Sequence, residues 1–218
     1  MMHRTNLLAA AVAALLVVSA GAADAQIVNG GFESPDQGGP FGQIDAPGNV
    51  AGWTVSSGGV DLINSYWTPY EGAQSLDLSG LSAGTIFQDF TLGQAGSYNL
   101  FFAMAANPDG GNAIREMSVS FGLNGGAMQT QTFSFDATGK SHSNMGWELN
   151  SWLVNASEAG SYRVQFTSLE NNAYGPALDG VSIAAVTATP EPATLALLGS
   201  GLLALGGLGL RRRARSES

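Results

Sequence analysis

Between residues 26 and 189, apolar residues recur at every second position in segments of five to ten residues, and each segment ends in a cluster of Gly, Asn, Asp or Ser. A period of two places successive side chains on opposite faces of an extended strand, so each segment buries one face and leaves the other polar. The pattern is clearest at 75–78, at 85–92, where Ile86, Phe90 and Leu92 share a face, and at 97–105, where Tyr98, Leu100, Phe102 and Met104 do. It returns at 117–121, 129–135 and 162–166, and again in a last strand over 177–183. Turn residues punctuate it: Asn107-Pro108-Asp109-Gly110-Gly111, Asn124-Gly125-Gly126 and Ala159-Gly160 each lie between two segments. No helical period of useful length interrupts them. About ten short strands spaced by 8 to 15 residues predict an all-β fold, two antiparallel sheets in a jelly-roll-like β-sandwich, rather than parallel βαβ units.

The two ends have a different character. Residues 1–25 open with Arg4, run through an apolar stretch at 7–18 and close on Ala23-Asp24-Ala25, the layout of a signal peptide cleaved between Ala25 and Gln26. Residues 194–210 hold no charge over 17 positions, about 25 Å as a helix, and Arg211, Arg212, Arg213 and Arg215 follow in the tail 211–218. A buried core helix would also be apolar, but six glycines and serines in the run and the arginines after it favour a transmembrane helix with its basic stop in the cytoplasm. Alternation fades into Thr and Pro at 186–193, a linker, which leaves 26–185 as one β-sandwich domain.

Between 26 and 189 fourteen acids face only Arg115, Lys140 and Arg163, a net charge of −11 with histidine neutral, so nucleic acid is excluded as a partner. Cysteine is absent, which removes disulfides, thiolate metal sites and cysteine nucleophiles. Between 26 and 189 the one histidine, His142, stands in a polar loop with no second histidine to act with it, so no catalytic residues are assigned.

Binding is the chemistry that remains. A sugar ring stacks its apolar face on Trp or Tyr while its hydroxyls seek Asp, Asn, Gln or Arg. The loop at 64–72, with Tyr66, Trp67 and Tyr70, is the densest cluster of that kind, and Tyr174 follows Asn171 and Asn172 in a second. Trp53 and Trp147 lie in apolar segments and are expected in the core. The acids also suit a hard cation, and a structural Ca²⁺ held by Glu33 and Asp179, from the first and last strands, is expected.

Three separated blocks share a likeness: Asn29-Gly30-Gly31-Phe32-Glu33-Ser34-Pro35; then Gly52-Trp53-Thr54-Val55, Val60-Asp61-Leu62-Ile63 and Glu71-Gly72-Ala73-Gln74-Ser75-Leu76-Asp77-Leu78; and finally Tyr174-Gly175-Pro176-Ala177-Leu178-Asp179-Gly180-Val181-Ser182-Ile183. Their order and spacing resemble the bacterial choice-of-anchor C domain, kin to a plant cell-wall family of unknown function. The resemblance implies a galactose-binding-like jelly roll, association with polysaccharide, and a Ca²⁺ at Glu33 and Asp179, although Gly180 stands where the family has a second aspartate. The tail, with Pro190, Glu191 and Pro192 before the apolar run and the arginines, resembles a PEP-CTERM sorting signal. That resemblance implies an exosortase as partner, transient anchoring in the inner membrane of a Gram-negative bacterium, and delivery to the surface or the exopolysaccharide matrix. The expected function is therefore a non-catalytic, exported, carbohydrate-binding biofilm protein, with a purely structural or self-associating surface protein as the alternative and a glycan hydrolase as the third reading.

Overall fold

The computed structural model describes residues 26–111 and 113–186. The predicted signal peptide through Ala25, the sorting motif at 190–192, the span 194–210 and the tail 211–218 lie outside the described residues. Within them no helix is long and apolar enough to cross a membrane.

The strands are β1 (Phe41–Asp45), β2 (Gly48–Val50), β3 (Trp53–Ser57), β4 (Gly59–Ile63), β5 (Ser75–Asp77), β6 (Thr85–Leu92), β7 (Gly96–Ala106), β8 (Ile114–Leu123), β9 (Met128–Asp136), β10 (Glu148–Ala156), β11 (Gly160–Ser168) and β12 (Pro176–Ala185). They form two six-stranded antiparallel sheets, ordered β1-β4-β5-β12-β7-β10 and β2-β3-β6-β11-β8-β9. The only helical element among the described residues is the 3₁₀ turn Pro108–Gly110. The predicted sandwich is thus present, and the foreseen segments fall within β5 to β9, β11 and β12.

The alternation does what its period requires. Val60, Leu62, Leu76 and Leu178 from the first sheet, and Trp53, Ile86, Val164 and Phe166 from the second, are all at most 1% exposed. Phe102 of β7 meets Phe166 of β11 edge-on across the interface, with ring centroids 5.4 Å apart. Each such buried side chain contributes about 1.5–3 kcal/mol before the entropy of ordering is counted.

The opening block is not a strand. Asn29 and Phe32 adopt positive φ, 53° and 57°, a costly conformation for phenylalanine that its burial must hold in place. Phe32 is fully buried against Trp53, and the Trp53 indole N–H donates to the Asn29 carbonyl at 3.0 Å. On the other side Val181 N–H donates to the Gly30 carbonyl at 2.9 Å. The block therefore staples β3 of one sheet to β12 of the other. It lies beside β12 at the register shift between Asp179 and Ser182; β1, the first true strand, is separated from β12 by the two strands β4 and β5.

Candidate functional site

The outer face of the first sheet carries the site. In β4 the core takes Val60 and Leu62, so Asp61 and Ile63 point the other way, and in β5 burial of Leu76 turns Ser75 and Asp77 outward from the core. Register then aligns Gln43, Asp61 and Asp77 across β1, β4 and β5, with Phe41 opposite Ile63 in the next row. Two loops complete a cavity of about 200 Å³ over these rows: the 3₁₀ turn contributes Asp109, and the approach to β12 contributes Tyr174.

Asp77 forms the closed end. It is fully buried; Oδ1 accepts from Ser79 N–H and Oδ2 from the Asn107 side chain, both at 2.9 Å. Gly175 seals it: a Cβ there would lie 2.4 Å from Asp77 Oδ1. Burial pushes the Asp77 carboxyl up to about 8 against the pull of these donors. Asp61, directly opposite, is pushed up to about 6 by burial and then by the nearby Asp45 charge. Its Oδ1 is buried with no hydrogen-bond partner, which costs a carboxylate free energy unless something else comes to it.

Tyr66 forms one wall. Its hydroxyl donates to Asp109 Oδ2 at 2.5 Å, and Asp109 Oδ1 lies 2.9 Å from His142 Nε2. The hydrogen bond to Asp109, followed by burial, pushes the Tyr66 phenol up to about 12, so it stays a neutral donor. Its ring sits 4.5 Å from the His142 ring and 5.2 Å from Phe41. Two shallower depressions adjoin the cavity, one sharing Tyr66 and reaching along 64–69, the other sharing Asp109 and reaching Lys140.

Of the four predicted ligand-binding residues, Tyr66 and Tyr174 come together in this cavity. Trp67 does not serve: it is 3% exposed and its indole N–H donates to Ser75 Oγ at 2.8 Å, so no ring face is free for stacking. Tyr70 is 42% exposed but lies edge-on to Trp147, outside the cavity lining. Trp53 is in the core as expected, whereas Trp147 precedes β10, half-buried, donating to the Thr68 carbonyl at 3.0 Å. Phe41, Gln43, Asp61, Asp77 and Asp109 were not foreseen. Their only sequence signal is an acid at an outward position of two neighbouring strands, which becomes a pair once register is known.

Glu33 and Asp179 have another task. Asp179 Oδ2 accepts from Tyr70 and Glu71 N–H at 2.9 and 3.1 Å, and its Oδ1 from Gly180 N–H at 2.7 Å. Glu33 Oε1 accepts from Ala73 and Gln74 N–H at 2.9 and 3.0 Å. Both carboxylates clamp the 70–74 loop by its amides, and among the described residues no three His, Cys, Asp or Glu converge to hold a metal. This donor set does not fit the expected Ca²⁺. Asp179→Ala, which orphans three amides around a buried carboxylate, is expected to cost about 3 kcal/mol, and Glu33→Ala about 1 kcal/mol. Thermal melts with chelator and with Ca²⁺ should show the same losses; a loss confined to Ca²⁺ would restore the metal.

Fold and cavity together define an antiparallel β-sandwich with an acidic, aromatic-walled cleft on one sheet. A family model described as a protein of unknown function (DUF642) matches residues 25–184, and the chain belongs to that family. A second model, the PEP-CTERM protein-sorting motif, matches 188–213. Halomucin of Haloquadratum walsbyi is 31% identical over 137 residues, which is 62% of this chain and 1% of that protein; the chain thus spans a very small part of this curated relative. Among solved structures, the apo form of a cyclase from Fischerella sp. is similar with a TM-score of 0.51 at 12% identity, covering 77% of this chain and 98% of its own, a likeness of fold alone. A family 35 carbohydrate binding module from Clostridium thermocellum aligns with a TM-score of 0.46 at 19% identity, over 66% of this chain and 98% of its own.

Proposed function

We propose that the cleft binds a carbohydrate polymer, and that the chain is a non-catalytic surface or matrix protein exported and sorted through its PEP-CTERM motif, with an exosortase as processing partner. The observation that carries this is the meeting, in one cavity, of aromatic walls from Phe41, Tyr66 and Tyr174 with a polar floor of Gln43 and Asp61. Rings cover the apolar faces of a pyranose, and the floor takes its hydroxyls. The two adjoining depressions give neighbouring sugar units a place to lie.

The cross-strand pair Asp61 and Asp77 does not form a hydrolytic couple. Two carboxylates would both have to reach the scissile bond, yet Asp77 is fully buried with both oxygens held by donors.

Calorimetric titration of the protein with the producer's exopolysaccharide tests the proposal. Tyr66→Ala and Tyr174→Ala should each weaken binding about tenfold, since an aromatic contact of this kind is worth about 1 kcal/mol beyond its buried area. Trp67→Ala should instead cost about 3–5 kcal/mol of stability, as the loss of a buried indole does. Unchanged affinity in both tyrosine variants would remove the cleft from consideration.

A further inference from the structure

The cleft carries a charge that a neutral sugar leaves unmatched. Asp61, Asp77 and Asp109 line it, and no Lys or Arg does. The nearby cations are engaged elsewhere or face away: the Arg115 guanidinium donates to the Gly110 carbonyl and pairs with Glu170 at 3.7 Å, and Lys140 lies in the adjoining depression, 5.6 Å above the Phe135 ring. Asp109 has His142 and the Tyr66 hydroxyl as partners, and Asp77 has its amide donors. Asp45, on β1 opposite Gly59, accepts from Gln43. Asp61 alone presents a buried oxygen with no donor, at the centre of the cleft and in the field of the other carboxylates.

The group that best answers this is a cation that donates hydrogen bonds. An ammonium offers three N–H donors and a full positive charge, and bonds between ionised partners are about twice as strong as neutral ones. The aromatic walls favour the same group, because the face of a phenyl or phenol ring attracts a cation within about 6 Å. A uronic acid would meet the like charges of Asp61 and Asp109, and an N-acetyl group would bring a single neutral donor.

Resting on the carbohydrate-binding reading of this cleft, we propose that its preferred ligand is an amino-sugar polymer with free amines, one ammonium docking on Asp61 between the rings of Phe41, Tyr66 and Tyr174. The specificity is for the amine: the same glycan backbone, fully acetylated, is a poor ligand.

The test uses the full chain and three oligosaccharides of equal length: a β-1,4-glucosamine hexamer, its fully N-acetylated counterpart, and the neutral glucose hexamer, each titrated at pH 6.5. The glucosamine hexamer should bind at least tenfold more tightly than the other two, and Asp61→Asn should bring it to their level. Because an acidic protein attracts any polycation, Glu148→Gln serves as a control; it removes one exposed charge from β10, at the far edge of the same sheet, and should leave the preference intact. Equal binding of all three oligosaccharides would overturn the amine preference and leave carbohydrate binding standing. An effect of Glu148→Gln as large as that of Asp61→Asn would reduce the preference to overall charge and likewise overturn it. Failure of the wild-type chain to bind these or the producer's own polysaccharide would overturn both readings.

Discussion

Gly30→Ala is expected to lower the stability of the domain by about 4 kcal/mol. A Cβ on residue 30 would lie 1.9 Å from the Val181 carbonyl oxygen and 2.9 Å from its carbon, and the obstacle is backbone, which cannot rotate out of the way. Overpacking of this kind costs about 3 kcal/mol. The displacement also breaks the Val181 to Gly30 hydrogen bond, worth about another 1 kcal/mol. For a domain of this size the melting temperature should fall by about 8–16 °C. Gly38→Ala is the matched control, because a Cβ there meets no atom within 4 Å, and it should melt within about 2 °C of wild type. A Gly30→Ala protein that melts with wild type would mean that the opening block does not staple the two sheets.

The same staple shows what was legible in the chain and what was not. Alternation with period two made the sandwich readable, because burial on one face leaves a mark at every second residue of β6, β7, β8 and β11. β1 and β2 left a weaker mark: they are short strands at sheet edges with few buried residues, and their polar and glycine positions read as loop. β10 misleads in another way, since it exposes Leu149 and Leu153 on its outer face. The three family blocks were recognisable as text, but their physical content is architectural. Gly30 fits where no Cβ can, Phe32 and Trp53 pack together, and Glu33 and Asp179 hold the amides of the 70–74 loop. An acid in a first and in a last segment is compatible with a cation or with an amide clamp, and only coordinates separate the two. The cleft was half legible. Tyr66 and Tyr174 announced themselves as aromatics in polar loops, whereas Asp61 and Asp77 became a pair only through the pairing of β4 with β5, which no local pattern encodes.

That pair, with Asp179, should give the domain an inverted pH dependence: stability falls as pH rises from 5 to 7. All three carboxyls are raised in the folded protein, Asp61 to about 6, Asp179 to about 7 and Asp77 to about 8, in each case chiefly by burial. Unfolded, each titrates near the ordinary value of about 4. Between these limits the folded state holds protons that the unfolded state has released, so raising the pH favours unfolding. One such proton costs about 1.4 kcal/mol per pH unit, hence Asp77 alone removes about 3 kcal/mol between pH 5 and pH 7, a fall in melting temperature of about 6–12 °C. Asp61 and Asp179 act in the same direction. Asp89, held low by the Arg163 guanidinium, acts in the opposite one, and its contribution is lost only as the pH falls below about 4, outside the window. Asp77→Asn isolates the cause, because it should flatten the slope by about one proton whatever it does to the absolute stability. A melting temperature that is constant or rises from pH 5 to pH 7 would mean that these carboxyls are not desolvated as their burial implies. Asp61→Asn, which also removes the docking charge of the cleft, should stabilise the protein at pH 8 by about 1 kcal/mol after allowance for its partial exposure, and leave it unchanged at pH 4. A variant that gains stability by losing the ligand is the expected behaviour of a binding group whose charge the fold keeps partly unpartnered.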